Sequence, residues 1–321
     1  MDIFLLALQQ LMMMAILMVV GWTLRKKGIV PENAGTALSR LETYVFVPAL
    51  SFGNQLKNCT VETFTNNANL IFYGLAAVIA GIILAHPLSR IFVRNAKENA
   101  SLMYQRNIYK YALTFGNYGY MGNFIVLGVW GDTMLYKYLM VTFLVGITCS
   151  SWGLYTMIPK GEGSLWKNLK KGLLAPPLLG LVLGMICGLL NLKPYFPTFF
   201  LNTIDNASKC MGPVAMLLAG IVIGGYDLKE LLTNKKVYIV TFLRLIAIPA
   251  VFLLILSAIG TSKEVMTLIL IAIGTPIGLN TIVYPAAYGG DTKTGASMTM
   301  ISHVLSVITI PLMYYLLIEL L

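Results

Sequence analysis

Again and again along this chain, about twenty apolar residues run on with scarcely a charge among them. A stretch of that length crosses the hydrocarbon of a bilayer as an α-helix. In hydrocarbon every backbone N–H and C=O must be satisfied within the protein, so the stretches leave little freedom in fold. Counted in this way the sequence holds ten spans, near residues 3–24, 36–56, 70–92, 108–128, 134–158, 172–190, 198–224, 237–259, 265–288 and 295–317.

Composition agrees. Only 11% of residues are charged and 57% are apolar, with a mean hydropathy of +0.77. A soluble domain carries about 25% charged residues, so this is an all-α integral membrane protein with its mass in the lipid bilayer. The net charge of +10 resides in short basic clusters between spans. That is an orientation signal, and it argues against a nucleic-acid partner. The four cysteines are scattered with no paired spacing, which supports neither a metal site nor a disulfide framework. The first stretch is too long for a leader core, follows Asp2, and has its positive charges, Arg25, Lys26 and Lys27, behind it. It reads as a first span with its N-terminus outside.

Lys and Arg divide unevenly among the connections. Those after the odd spans hold seventeen, including Arg90, Lys97, Arg106, Lys160, Lys170 and Lys293, against four after the even spans: Lys57, Lys137, Lys193 and Lys263. This places both termini on the outer side of a plasma (inner) membrane and requires an even number of spans. The connection at 159–171 splits the ten into five and five. An odd number in each half makes any repeat one of inverted topology.

Two spans are interrupted. Span nine contains the run from Gly274 to Asp291, with two prolines, four glycines and Asn280. Span four, at the corresponding place in the first half, contains Phe115-Gly-Asn117-Tyr-Gly119-Tyr-Met-Gly122-Asn123. A break in hydrocarbon frees backbone groups at several kcal/mol each unless protein or a water-filled cavity satisfies them. Paired breaks in two halves point to the binding site of a secondary transporter.

The Gly-Asn-x-Gly-aromatic-Met-Gly run of span four resembles the auxin efflux carrier family, in its bacterial members. So do Arg244-Leu-x-x-x-Pro249, Pro276-x-x-x-Asn280 followed by Tyr288-Gly-Gly-Asp291, and Ser302-x-x-x-Ser306-x-x-Thr309-x-Pro311. The resemblance covers the whole chain. It implies ten helices in a 5+5 inverted repeat, with spans four and nine broken and crossing at mid-membrane. Scaffold spans would occupy 1–65 and 161–230, and core spans 66–160 and 231–321. The bile-acid:sodium symporters share that architecture. Two departures stand out: Phe124 replaces the usual proline after the Met-Gly-x of span four, and His303 stands where the family often has threonine.

The exposed N–H groups that open the second half of a broken helix favour an anion, while free carbonyls favour a cation. Substrate-binding candidates are therefore Asn117 and Asn280 at the breaks, with Asn123, Gly122, Thr275, Pro276 and Gly278 beside them. Each asparagine could equally cap its own half-helix. His303, with Ser302 and Ser306, is the candidate for H+ or ion coupling, against a neutral histidine bonded to a serine or carbonyl. Arg244 lies about two turns into span eight, where snorkelling to the inner surface and attraction of an anionic substrate both fit. Asp205 and Lys209, four apart, read as an internal salt bridge. The Gly180, Gly184, Gly188 ladder reads as close helix packing or as a homodimer face. Met12 to Met14 read as lipid-facing or packing side chains.

No phosphate loop, zinc motif or nucleophile elbow is present, so an enzyme is not expected. The reading is a carrier of small organic anions, such as malate, malonate or indole-type acids, working by alternating access with an elevator-like core. No cofactor is implied beyond H+ or Na+ as coupling ion. The rivals are a sodium-coupled symporter of larger amphipathic acids and a membrane sensor that binds without translocating.

Overall fold

The computed structural model describes residues 3–96, 99–158, 164–287 and 290–320. Asp2, Lys97, Lys160, Tyr288 and Gly289 of the preceding section lie outside them. Among the described residues every regular element is helical. In order they are α1 (Ile3–Lys26), α2 (Ala34–Leu41), α3 (Val47–Asn58), α4 (Val61–Asn67), α5 (Leu70–Phe92), α6 (Ala100–Thr114), α7 (Asn123–Thr148), α8 (Leu154–Thr156), α9 (Leu165–Leu173), α10 (Pro176–Leu189), α11 (Thr198–Gly224), α12 (Leu228–Leu232), α13 (Lys235–Phe242), α14 (Ile248–Ala258), α15 (Lys263–Gly274), α16 (Asn280–Ala287) and α17 (Thr292–Tyr314). Wide π turns join or extend several of them, at Glu42–Phe46, Tyr118–Gly122, Cys149–Gly153, Leu243–Ala247 and Tyr315–Glu319.

Two of the π turns have a cause in sequence. Pro48 and Pro249 each stand two residues past one, at Glu42–Phe46 and Leu243–Ala247. A proline inside a helix removes a donor and pushes against the carbonyl four residues back, and widening the preceding turn relieves that push.

Six helical runs are long and apolar enough to cross a membrane: Ile3–Lys26, Val61–Phe92, Tyr118–Thr156, Thr198–Gly224, Lys235–Ala258 and Thr292–Glu319. A seventh forms if α9 and α10, bent by 48°, count as one. The sequence count was ten, and the difference has three sources. The run over α2 and α3 is long enough but carries Arg40, Glu42 and Lys57. The Tyr118–Thr156 run is one helix by hydrogen bonding, yet it turns at Gly131 (φ 78°, ψ −171°), a backbone shape open to glycine. Lys263–Gly274 and Asn280–Ala287, on either side of the span-nine break, are each too short alone.

The surface fits lipid. Ile16 and Val19 on α1, Ile83 on α5, and Val304 and Ile308 on α17 are more than 60% exposed and apolar. Met12 and Met13 face outward with them, while Met14 is buried. Inside, α1 lies along α11, α10 along α3, and α3 along α11. A second set of contacts joins α5 to α6 and α7, α14 to α15, and α16 to α17.

Between α10 and α3 the approach is close enough to demand glycine. A β-carbon at Gly180 would stand 2.7 Å from the Pro48 carbonyl oxygen, at Gly184 2.6 Å from that of Phe52, and at Gly188 2.5 Å from that of Cys59. The glycine ladder is thus used within the chain, as helix packing. Asp205 and Lys209 form the expected pair at 2.5 Å, on an exposed face of α11.

Backbone cannot give way as a side chain tip can. Gly184→Val should therefore lower stability by about 1–3 kcal/mol, read as a fall in Tm of the purified protein, while Leu183→Val on the exposed face of the same helix should leave Tm nearly unchanged.

Candidate functional site

The first interruption is short. α6 ends at Thr114, Phe115 is extended, and helix resumes as a π turn at Tyr118. The second runs from Thr275 to Leu279, between α15 and α16. The freed backbone groups of the two breaks are satisfied partly by each other and partly by side chains. Gly116 and Ile277 form an antiparallel bridge, and the Asn117 N–H donates to the Pro276 carbonyl at 2.7 Å. The Ile277 N–H donates to Ser302 Oγ on α17 at 3.0 Å. Gly116 is compulsory here, since a β-carbon would lie 2.5 Å from Arg244 Nη2 and 2.6 Å from the Thr275 carbonyl oxygen.

Phe124 does not break the first segment. The helix passes through it without interruption, and its ring rests against Gly212 of α11. The break lies earlier, around Gly116, and does not need a proline at position 124.

Beside the bridge lies a cavity of about 210 Å³. Asn117, Asn123 and Asn280 line it with Gly278, Ser51, Thr142, Cys149 and Tyr284. No Asp or Glu appears among the described lining residues. Asn117 is 5% exposed, and its Nδ2 lies 3.2 Å from His303 Nε2. His303 Nδ1 is 2.7 Å from the Thr299 carbonyl, which can only accept, so Nδ1 carries the hydrogen and Nε2 accepts from Asn117. Asn280 Nδ2 donates to the Tyr111 hydroxyl at 2.8 Å. Neither of these two amides is spent on capping its own half-helix.

The other candidates divide. Asn123 Nδ2 donates back to the Gly119 carbonyl at 2.6 Å, and its buried Oδ1 has no partner. Gly122 is covered by Tyr138, whose hydroxyl donates to the Tyr118 carbonyl at 3.0 Å. Thr275 is fully buried with Oγ1 unpartnered, and Pro276 serves through its carbonyl. Gly278 accepts from Thr281 Oγ1 at 2.9 Å. Ser306 lies one turn beyond His303 and donates to its carbonyl at 2.7 Å, away from the amides.

Arg244 does not snorkel. It is 1% exposed, and its Nη1 donates to the carbonyls of Leu113 and Thr114, at 3.3 and 3.1 Å. Among the described residues its Nε and Nη2 have no hydrogen-bond partner, and none of the ion pairs includes it.

Three residues that matter were not singled out from sequence. Tyr111 takes the Asn280 hydrogen bond and shares a second one with Cys149 Sγ at 3.1 Å, so Tyr111 links the two cavity-lining residues Asn280 and Cys149. The available signal was position: Tyr111 lies one turn before the first break. Glu42 is fully buried at the head of a π turn, with neither carboxyl oxygen partnered. An acid two residues from Arg40 reads as a flank in sequence, although an ionisable group inside a span is a functional signal.

Residues 6–314 match the family described as membrane transport protein. An uncharacterized transporter of Methanocaldococcus jannaschii is 24% identical over 303 residues, covering 92% of this chain and 94% of the relative. A second, from Methanothermobacter thermautotrophicus, is 22% identical over 235 residues and 73% of each chain.

Asn280→Ala should remove one charge-assisted hydrogen bond to any bound acid, about 1.5–3 kcal/mol or roughly ten- to hundred-fold in Kd. The check is calorimetry with an acid that raises the Tm of the parent, the variant keeping a parent-like Tm without ligand. Asn117→Ala and Asn280→Ala both binding as the parent does would remove the two amides from the site.

Proposed function

The chain belongs to the membrane transport protein family, that of the auxin efflux carriers, and from that premise we propose that it carries small organic anions by alternating access. It is a multi-pass membrane transporter and not an enzyme. The observation that carries the anion reading is the joined pair of breaks, with cavity-lining amides beside it and no acid in the described lining. The N-terminal ends of the half-helices beginning at Tyr118 and Asn280 add positive dipole ends near the same cavity. A guanidinium with no carboxylate partner among the described residues, beside Gly116, adds a full positive charge.

Size favours a small acid. The cavity of about 210 Å³ is below the roughly 300–1,000 Å³ of drug-sized sites. Malate- or malonate-sized carboxylates suit it better than a large amphipathic acid, and an indole acid is the upper limit. In this reading the chain forms ten spans in a 5+5 inverted repeat, and spans four and nine cross where Gly116 meets Ile277. Helices α1, α3, α10 and α11, which pack on one another, make the scaffold, past which the rest moves as an elevator. Both termini lie outside the plasma membrane, by the distribution of Lys and Arg.

The cavity extends from the breaks toward Ser150, Gly172 and Ala175, beside the connection that the basic residues mark as inside. On the opposite side, Asn54 Nδ2 donates to the Asp132 carbonyl at 2.9 Å, and Lys57 pairs with the Asp132 carboxylate. These contacts join α3 to the Gly131 turn and close that face, so the conformation is inward-open. His303 couples the site to H+ in this scheme: a second proton on the ring would make Nε2 a donor and turn the Asn117 amide over.

Counterflow decides between carrier and sensor. Proteoliposomes loaded with unlabelled malate, malonate or an indole acid should take up the matching labelled acid saturably, and Asn280→Ala should strongly weaken the exchange. Saturable binding of the acid without exchange would instead support a sensor.

A further inference from the structure

We propose that Arg244 is a fixed cation standing where a carrier of this build would otherwise bind a coupling ion, so that Na+ has no place at the end of α6. The inference rests on the carrier reading above and concerns which ion that site admits. α6 stops at Thr114, and the last carbonyls of a helix have no partner within it. They are also the negative end of its dipole. In carriers with broken helices, such ends and the unwound carbonyls beside them coordinate Na+ or H+.

Here a side chain fills that position. Arg244 Nη1 donates to the carbonyls of Leu113 and Thr114, while Nη2 and both the carbonyl and the hydroxyl oxygen of Thr275 surround the place a β-carbon on Gly116 would take. The π turn Leu243–Ala247 includes Arg244, and the side chain is 1% exposed. A guanidinium does not give up its charge in a protein. No carboxylate among the described residues pairs with it, and the oxygens that accept from it are the carbonyls of Leu113 and Thr114, as carbonyls would meet the charge of a bound metal ion. The free space beside it is about 10 Å³, room for one water and not for a further ion with ligands of its own. Shortening the side chain would leave four oxygens, two on Thr275 and one each on Leu113 and Thr114, a set suited to a small hard cation.

The test reads Na+ directly, by Tm of the purified full-length protein in graded NaCl against choline chloride at equal ionic strength. A ion that binds only the folded state raises Tm with concentration. The parent should melt at the same temperature in both salts. Arg244→Ser should acquire a rise specific to Na+, and Arg244→Lys, which keeps a positive charge, should not. A Na+-specific rise in the parent that persists in Arg244→Ser overturns the proposal, as does a folded Arg244→Ser that melts alike in both salts. Should the serine variant not fold, equilibrium dialysis of the parent against radioactive Na+ decides: stoichiometric binding overturns the proposal and none supports it. Neither measurement involves uptake, so a failure here leaves the carrier reading intact, and a failure to transport leaves the Na+ result readable.

Discussion

Everything at the centre of this molecule depends on one backbone hydrogen bond and the bridge beside it. The Asn117 N–H meets the Pro276 carbonyl at 2.7 Å, and Gly116 pairs with Ile277. A helix broken in hydrocarbon must find other partners for its freed groups. Two broken helices that meet solve part of the problem together, and Ser302 and Arg244 supply the rest. The arrangement also explains the residue types. Gly116 admits the second chain at a distance no side chain would allow, and Pro276 places a carbonyl where no further donor is required of it.

The side chains around the bridge extend the same logic outward in two directions. Toward the cavity, Asn117 is held by His303 and Asn280 by Tyr111, so both amides are oriented before any ligand arrives. Such preorganisation lowers what binding must spend on ordering. Away from the cavity, Arg244 secures the end of α6 and Ser302 secures Ile277. The polar groups facing the cavity are donors and acceptors without formal charge, and a guanidinium lies behind Gly116. That asymmetry is the physical basis for favouring an anion.

Much of this was legible from residue types alone. Glycine, proline and asparagine inside apolar stretches have few other uses, so the breaks and the two amides could be placed without coordinates. Side-chain direction could not. Arg244 reads equally well as snorkelling or as attracting an anionic substrate until the neighbouring carbonyls of α6 are known, because its partners are some 130 residues away. Tyr111 and Cys149 look like ordinary apolar residues of their helices, and only packing shows them in a chain with Asn280. Span boundaries were less legible for a different reason. Hydrogen bonding runs on through Tyr118–Thr156, and a single glycine rotation at Gly131 does the work that loop residues usually do.

The cavity holds its own reporter for the claim that substrate sits beside the joined breaks. Cys149 lines it, within 3.1 Å of the Tyr111 hydroxyl that receives Asn280. With Cys59, Cys187 and Cys210 replaced by serine, a small methanethiosulfonate reagent reports on that one thiol. A carboxylic acid that raises the Tm of the protein should slow the labelling of Cys149 in a saturable way, at the concentration at which it stabilises. Labelling that proceeds at the same rate with the acid bound would put the substrate elsewhere and contradict the account.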